Sequence, residues 1–511
     1  MGRKADRSAR HAPREVELKL EADGAGLEAL RAHPAIREAV GEAKAKSLHA
    51  VYFDTPDRDL RRAGISLRIR RSGDRRIQTI KAANAPSAGL FDRDEWEREV
   101  PDDNLDLSGL DDGPAADLLT GVASALAPAF VVRVERTTLD LAHGGSTAEL
   151  TIDEGVVEAD GREDAVTEVE IELKKGAPAD LFGLARDLVG AAPLRLGIRT
   201  KAERGYALLE NKPLKAVKSS AAQVMLGMSA GEGFQAIGRA CLAHLLRNEP
   251  VLRLAREPDA VHQMRVAMRR LRAAISLHRT IVDDARREAV AAELKWTAGE
   301  LGDARDLDVF IDRTARPAHR AHPGDGDIAA LVEGLEAQRE RAYVAALDAV
   351  GSDRFRAMLI DVAAWIEAGP WLSADNAVRD APVEDFAAGV LARRSKRILK
   401  RGARLAAMEP EPRHELRIAV KKLRYAVEFF ASAFEGRKAE KRRQAYLEAL
   451  ERLQEHLGDL NDVAVGRARL KGAPHPERLT PLLFGDADER RFLDEAVDAF
   501  EDFADARAFW K

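Results

Sequence analysis

The spacing of apolar residues changes once along this chain, and that change limits the fold more than any other feature. From Glu15 to about Lys174, apolar and polar residues alternate in short segments parted by Gly, Pro and Asp, the signature of half-buried strands. The alternation predicts strands over 15–20, 48–53, 65–71, 76–82, 93–100, 131–141, 147–153 and 166–174, with helices near 25–40, 114–126 and 178–190. Eight strands are enough to close a barrel. Beyond about Gly205 the alternation ends. From Ala230 onward apolar residues recur every third or fourth position within runs of Ala, Leu, Arg and Glu, the pattern of helices. The expected architecture is therefore an α+β domain over 13–210, a linker over 211–224 carrying Pro213 and several Lys and Ser, and an all-α domain over 225–511.

A length of 511 residues requires more than one hydrophobic core. Apolar residues at 45% and charged residues at 33% exclude a disordered or fibrous chain. No apolar run is long enough to cross a bilayer, and the basic segment Met1 to Arg14 has no apolar stretch behind it. The expectation is a cytoplasmic, unprocessed protein with no membrane partner. Cys241 is the only cysteine, which excludes an internal disulfide and a Cys-rich zinc site. The net charge of −5 argues against a protein that coats nucleic acid, although it conceals charges sorted onto particular faces.

Residues two apart in a strand share a face. Glu15, Glu17 and Lys19 therefore point one way, as do Arg68 and Arg70, Thr79 and Lys81, Arg93, Glu95 and Glu97, Glu149, Thr151 and Asp153, and Glu168, Glu170, Glu172 and Lys174. For one strand, a solvated outer face is the better reading. For the whole set it weakens, because acidic strands would repel as neighbours unless basic strands or cations face them. A closed interior with both signs would gather Arg and Lys around phosphate oxygens and carboxylates around hard divalent ions.

The segment Glu15-Val-Glu-Leu-Lys19 resembles the opening signature of the CYTH superfamily, the triphosphate tunnel metalloenzymes. Tyr52-Phe-Asp-Thr55, Ser66-Leu-Arg-Ile-Arg70, Thr79-Ile-Lys81, Arg93-Asp-Glu95, the Arg133 to Arg136 segment, Asp153, Glu168-Val-Glu-Ile-Glu172 and Lys201 follow in the family's order. The resemblance implies an eight-stranded antiparallel tunnel with flanking helices that binds a triphosphate end to end and attacks it with water activated by Mg²⁺ or Mn²⁺. It implies that Lys19, Arg68, Arg70, Lys81, Arg93, Arg136 and Lys201 hold phosphate oxygens, with Arg133 as the alternative to Arg136. Asp153, Glu170 and Glu172 would ligate metal, with Glu168 included because the register of the glutamate run can slide by two. Glu15 and Glu17 would hold a second metal or the attacking water and, with Lys19, make up the catalytic set. The sequence has no Walker-type loop, so a P-loop mechanism has no footing.

The helical half repeats itself at an offset of about 150 residues. His262-Gln-Met-Arg-Val-Ala-Met-Arg-Arg-Leu-Arg272 matches His414-Glu-Leu-Arg-Ile-Ala-Val-Lys-Lys-Leu-Arg424, and Leu301-Gly-Asp-Ala-Arg-Asp306 matches Leu457-Gly-Asp-Leu-Asn-Asp462. The expectation is a duplicated helical bundle with repeats over about 230–370 and 380–511. His262, Arg265, Arg269 and Arg272 fall on one face of a helix ~15 Å long, as do His414, Arg417, Lys421 and Arg424. Met264, Met268, Leu271 and Ile275, and Leu416, Val420, Leu423 and Val427, form the adjoining packing stripes. A single basic stripe is usually solvated surface; two matching ones, with further Arg and Lys around 393–404, call for an anion. This pattern resembles the CHAD domain, which implies a basic groove that binds inorganic polyphosphate. Gly302 and Gly458 suit helix ends, and Asp306 and Asp462 suit helix starts.

The function expected is metal-dependent hydrolysis of inorganic triphosphate to pyrophosphate and phosphate, with polyphosphate held by the helical half. A non-catalytic polyphosphate-binding protein is the alternative from a different class. Action on thiamine triphosphate or a nucleoside triphosphate, or adenylate cyclase activity, ranks lower because few aromatics are available to stack a ring. Nucleic-acid binding ranks lowest, for want of aromatics among the basic residues.

Overall fold

The computed structural model describes residues 14–39, 41, 43–82, 89–108, 114–471, 473–485 and 488–510. They form two compact units, the first running to Leu214 and also taking in Asp353–Ala368, the second made of Lys215–Ser352 and Gly369 to the end. No helix among the described residues is long and apolar enough to cross a membrane.

The first unit is built on β1 (Arg14–Glu21), β2 (Lys44–Asp54), β3 (Ile65–Ser72), β4 (Arg75–Ala82), β5 (Leu90–Glu99), β6 (Ala127–His143), β7 (Ser146–Ala159), β8 (Arg162–Lys175) and β9 (Arg195–Leu196). The strands run antiparallel in the order β5-β4-β3-β2-β6-β7-β8-β1-β9, and a further pairing of β1 with β5 brings the two ends of the sheet together. Eight strands thus make the ring. The ninth, two residues long and not foreseen from the alternation, pairs with Leu20 and Glu21 where β5 no longer covers β1.

Strands β6 to β8 are longer than the alternation indicates. The alternation ends near Asp153, just short of Gly155. In the folded chain that glycine marks a close approach: a Cβ there would stand 2.0 Å from the Arg133 carbonyl oxygen. The ladder continues to a two-residue turn at Asp160 and Gly161, both at positive φ (51° and 71°), the geometry that matches strand twist in a tight hairpin.

Alternation sends Leu18, Leu20, Leu150, Ile152, Val169 and Ile171 to the outer face, where all are buried. Helix Pro178–Ala191 packs on β1, β6 and β8 through buried Leu181, Phe182, Leu184 and Leu188. The opposite residues turn inward. Part of the interior is apolar, with Leu48, Val134, Gly155 and Val166 in one cross-strand row. Leu48, Val134 and Val166 pack there with Tyr52, Phe130, Val132 and Tyr206. The adjacent row, Arg136, Asp153, Glu168 and Glu21, is charged. A boundary between oil and charge therefore falls inside the barrel.

Helix Lys201–Glu210 crosses that boundary. Thr200 caps it through a capping box with Glu203, Tyr206 Oη donates to Asp54 Oδ2 at 2.7 Å, and Arg58 and Arg61 pair with Glu210 at its far end. These ties fix its first residue, Lys201, at the charged layer.

The second unit is all helix. Helices Ala230–Ala255 and Pro258–Leu277 are matched by Val383–Gly402 and Pro410–Phe429, and the second helix of each pair carries the repeated motif behind a proline at its first turn. The two apolar stripes of the motif helices are buried to 5% exposure or less. Gly302 opens helix Gly302–Phe310, but Gly458 lies inside helix Arg437–Leu470 and is no helix end.

Gly205 faces the Phe130 ring, with 2.3 Å between a built Cβ and Cδ2. Gly205→Ala is expected to cost about 1–3 kcal/mol through overpacking, read as a lower urea midpoint. The exposed Gly190→Ala, which meets nothing closer than 3.8 Å, should leave the midpoint in place. Equal midpoints would refute the packing role.

Candidate functional site

A cavity of about 620 Å³ opens inside the barrel. One wall carries Arg68 and Arg70 from β3, Lys81 from β4, and Glu95 and Glu97 from β5. The other carries Glu17 and Lys19 from β1, Arg136 from β6, Glu149 from β7, Glu170, Glu172 and Lys174 from β8, and Lys201. Register sorts the second wall into rows. Glu17, Glu172 and Glu149 face one another directly across β1, β8 and β7; the next row is Lys19, Glu170 and Thr151. Below it lies Glu21, Glu168, Asp153 and Arg136.

The lowest row anchors the cations. Glu168, fully buried, accepts from Lys19 at 2.8 Å, Lys201 at 2.7 Å and Arg204 at 3.2 Å. Asp153, also fully buried, takes Arg136 through two contacts of 2.7 and 2.6 Å and lies 2.9 Å from Lys201. Glu170 closes the network, at 3.1 Å from Lys19, 3.0 Å from Lys201 and 3.0 Å from Arg136. Burial alone would neutralise these groups. It raises the Glu168 carboxyl, but Lys19 and Lys201 outweigh it and bring the group to about 2. Burial lowers Lys201, yet Glu168, Glu170 and Asp153 lift it well above the ordinary lysine value. Across the cavity, burial opposes charge on Arg68, and hydrogen-bonded Tyr52, 3.2 Å away, helps to raise it.

The residues singled out from sequence divide accordingly. Glu17, Lys19, Arg68, Arg70, Lys81, Arg136, Glu170, Glu172 and Lys201 line the cavity. Asp153 and Glu168 do not; they lie behind it and hold its lysines and Arg136. Arg133 points outward, 54% exposed and paired with Glu158, because it sits three positions from Arg136 and so on the opposite face of β6. The side chains of Glu15 and Arg93 fall outside the described residues; their backbones are partners in the β1–β5 ladder. Sequence reasoning passed over Arg204, one helical turn beyond Lys201, which reaches Glu168, Glu21 and Asp164. It placed Glu149 on the charged face of its strand but not among the site residues, since its position opposite Glu172 depends on register alone.

Among the described residues no three His, Cys, Asp or Glu side chains already form a ligand cage. The row Glu17, Glu172 and Glu149 nevertheless suits a hard divalent cation. Its donors are all oxygen, and like charges set opposite one another are unfavourable without a cation. Lys174 supplies part of that compensation, at 2.8 Å from Glu172 and 3.3 Å from Glu149.

In the second unit the two motif helices border a cavity of about 760 Å³, lined by Arg269, Arg272, His414, Arg417, Lys421 and Lys422 among others. The cations crowd one another. Burial, then Arg417 and Arg269, pull Lys421 down to about 7, while burial and Arg305 hold His262 near 4. With no anion opposite it, His262 is held below the ordinary histidine value by burial and by Arg305 and Arg269. Neither it nor Arg265 or Arg424 lines this cavity. Arg265 donates to the Ala298 carbonyl at 2.7 Å and pairs with Asp306, and Arg424 pairs with Glu428 at 2.5 Å. The first Leu-Gly-Asp motif makes room for an arginine, since a Cβ at Gly302 would meet the Arg265 guanidinium at 2.9 Å; at Gly458 a Cβ would only touch the Arg417 guanidinium, at an ordinary contact distance of 3.8 Å. A helix end was the wrong reading of Gly458. Asn461 beside it meets His414 Nδ1 at 2.7 Å.

Family models of the CYTH domain and the CHAD domain match residues 13–206 and 236–471. The inorganic triphosphatase of Haemophilus influenzae is 32% identical over 162 residues, 31% of this chain and 44% of the relative. The match thus spans less than half the length of that protein. Among solved structures, the CHAD domain from the plant Ricinus communis is 27% identical and covers 57% of this chain and 98% of its own, with a TM-score of 0.48. PptA from Streptomyces chartreusis is 22% identical, covering 54% of this chain and 99% of its own, with a TM-score of 0.40.

Because the folded value of Glu168 lies below its ordinary 4.5, its contribution to stability is present above 4.5 and lost as pH falls towards about 2. Urea unfolding across that window should show stability falling as the pH is lowered. Glu168→Gln leaves three buried cations facing a neutral partner, which is expected to cost roughly 3–5 kcal/mol at neutral pH and to flatten the acid limb. An acid limb as steep as that of the parent would refute the assignment.

Proposed function

A CYTH domain followed by a CHAD domain makes up this chain, and from that premise we propose that the barrel hydrolyses inorganic triphosphate to pyrophosphate and phosphate with Mg²⁺ or Mn²⁺. The helical groove, on the same reading, binds inorganic polyphosphate. The observation that carries the proposal is that the barrel cavity combines cations from six elements with a row of carboxylates facing one another across β1, β8 and β7.

Lys19, Lys201 and Arg136 reach the substrate already charged and already oriented, since Glu168, Glu170 and Asp153 hold them from behind. Arg68, Arg70 and Lys81 take phosphate oxygens from the opposite wall. An extended triphosphate between the two walls loses little orientational freedom that the protein has not already removed, and positioning is most of what phosphoryl transfer asks of a protein. Glu17, Glu149 and Glu172 would hold the divalent ion, with Glu170 beside them. When bound there, the ion supplies charge neutralisation and activation of water. No nucleophilic side chain is needed. Tyr52 is stacked on Phe130 at 4.6 Å and bonded to Arg68, so one face of its ring and its hydroxyl are already engaged, which favours the inorganic substrate over a base or thiazole.

Phosphate release from tripolyphosphate, ATP and thiamine triphosphate, each with Mg²⁺, Mn²⁺ or EDTA, tests the reading. The expected result is metal-dependent release, fastest from tripolyphosphate, with Glu172→Gln lowering kcat by roughly a hundredfold or more while the protein stays folded. Release indifferent to EDTA, or full turnover in Glu172→Gln, would overturn it. In the groove, replacing Arg269, Arg417 and Lys421 with Ala should abolish polyphosphate binding and spare triphosphate hydrolysis; retained binding in a filter assay would return those cations to ordinary surface.

A further inference from the structure

The two repeats of the second unit differ at one groove. In each repeat it lies between the first helix and the motif helix. In the first repeat it holds the chain's own segment around Val217. The Val217 N–H donates to Asn248 Oδ1 at 2.9 Å, the Asn248 amide returns a bond to the Val217 carbonyl at 2.9 Å, and Ala216 N–H donates to Glu257 at 2.8 Å. His244 bridges the Val217 carbonyl and Gln263, at 3.0 and 3.1 Å.

Glu415 is the repeat counterpart of Gln263, and Lys422 that of Arg270. Around them the second repeat keeps the groove as an open cavity of about 340 Å³, lined by Arg394, Arg397, Arg401, Glu415, Ile418 and Lys422 among others. Arg270 pairs with Glu428 and lies over the Phe429 ring at 4.8 Å. Lys422 has no such partner among the described residues. Among the described residues, Arg401 alone of these cations has an ion pair, with Glu415 at 3.4 Å, and Arg394, Arg397 and Lys422 repel one another. Ile418 and Lys422 also line the larger basic cavity, so the two cavities share a wall.

We propose that this second-repeat groove is an extension subsite for polyphosphate, so that a chain seated against Arg269, Arg417 and Lys421 continues past Lys422 onto Arg394 and Arg397. The inference rests on the polyphosphate reading of the main groove and adds a dependence on chain length. Phosphate chains suit it better than nucleic acid. The lining contains no aromatic ring to stack a base, and guanidinium groups suit bare phosphate oxygens.

The test is equilibrium binding of the full chain, in EDTA, to long-chain polyphosphate, to a short chain confined to the main groove, and to a single-stranded oligonucleotide. The proteins compared are the parent, Arg394→Ala/Arg397→Ala and Arg269→Ala/Lys421→Ala, each checked for an unchanged melting temperature. Loss of two charge-assisted contacts should weaken long-chain binding in the first variant by about tenfold or more and leave short-chain binding as it was. Arg397→Glu should weaken it further. Long-chain affinity unchanged in the first variant, with both ligands lost in the second, would overturn the extension and leave the main groove standing. Full binding by the second variant would overturn the groove reading itself. Equal binding of the oligonucleotide, lost in parallel, would overturn the assignment to polyphosphate.

Discussion

Everything the barrel can do depends on one carboxylate that no solvent reaches. Glu168 holds Lys19, Lys201 and Arg204 at once from its place on β8 between β1 and β7. A buried charge is tolerated only when paired and hydrogen-bonded, and here each partner is also a reason for the other to remain charged. With Asp153 and Glu170 completing the network, lysine and arginine heads are fixed beside the cavity before any ligand arrives. The interior pays for this order with desolvation, and the apolar layer of Leu48, Val134 and Val166 just beyond keeps water from dissolving the pairs.

The helical unit handles charge in the opposite way. Arg269, Arg417 and Lys421 crowd together on two helices, and Lys421 is depressed first by burial and then by the cations beside it. Buried apolar stripes hold the helices in place despite the repulsion. One unit thus satisfies its cations internally, while the other leaves them facing a groove. The first arrangement suits a small anion gripped from all sides. The second suits a long one that supplies the missing charge itself.

Much of this was legible in the sequence because periodicity is a local property. Alternation placed Glu17, Lys19, Arg68, Arg70, Lys81 and Glu172 on common faces, and the three-and-four spacing placed Arg269, Arg417 and Lys421 on theirs. The misreadings arose where a local rule met a distant neighbour. The alternation stops just short of Gly155, but against the Arg133 carbonyl that glycine is the residue that lets two strands approach. Gly458 reads as a helix end, but it lies inside a long helix alongside Arg417. Arg133 and Arg136 were both candidates until their odd spacing was set against a barrel with a defined inside.

By itself the sequence determined the two periods, the internal duplication and the sorting of charge onto one face of each strand and helix, since these follow from side-chain direction along a regular backbone. Only the tertiary structure decided which of those faces turned inward and which acidic residues met across strands. Glu149 stands opposite Glu172 because of hydrogen-bond register between β7 and β8. The groove beside Lys422 stays open because the chain fills its counterpart in only one repeat. Both are relations between segments distant in sequence. Periodicity is silent on them, since register and occupancy are settled by packing.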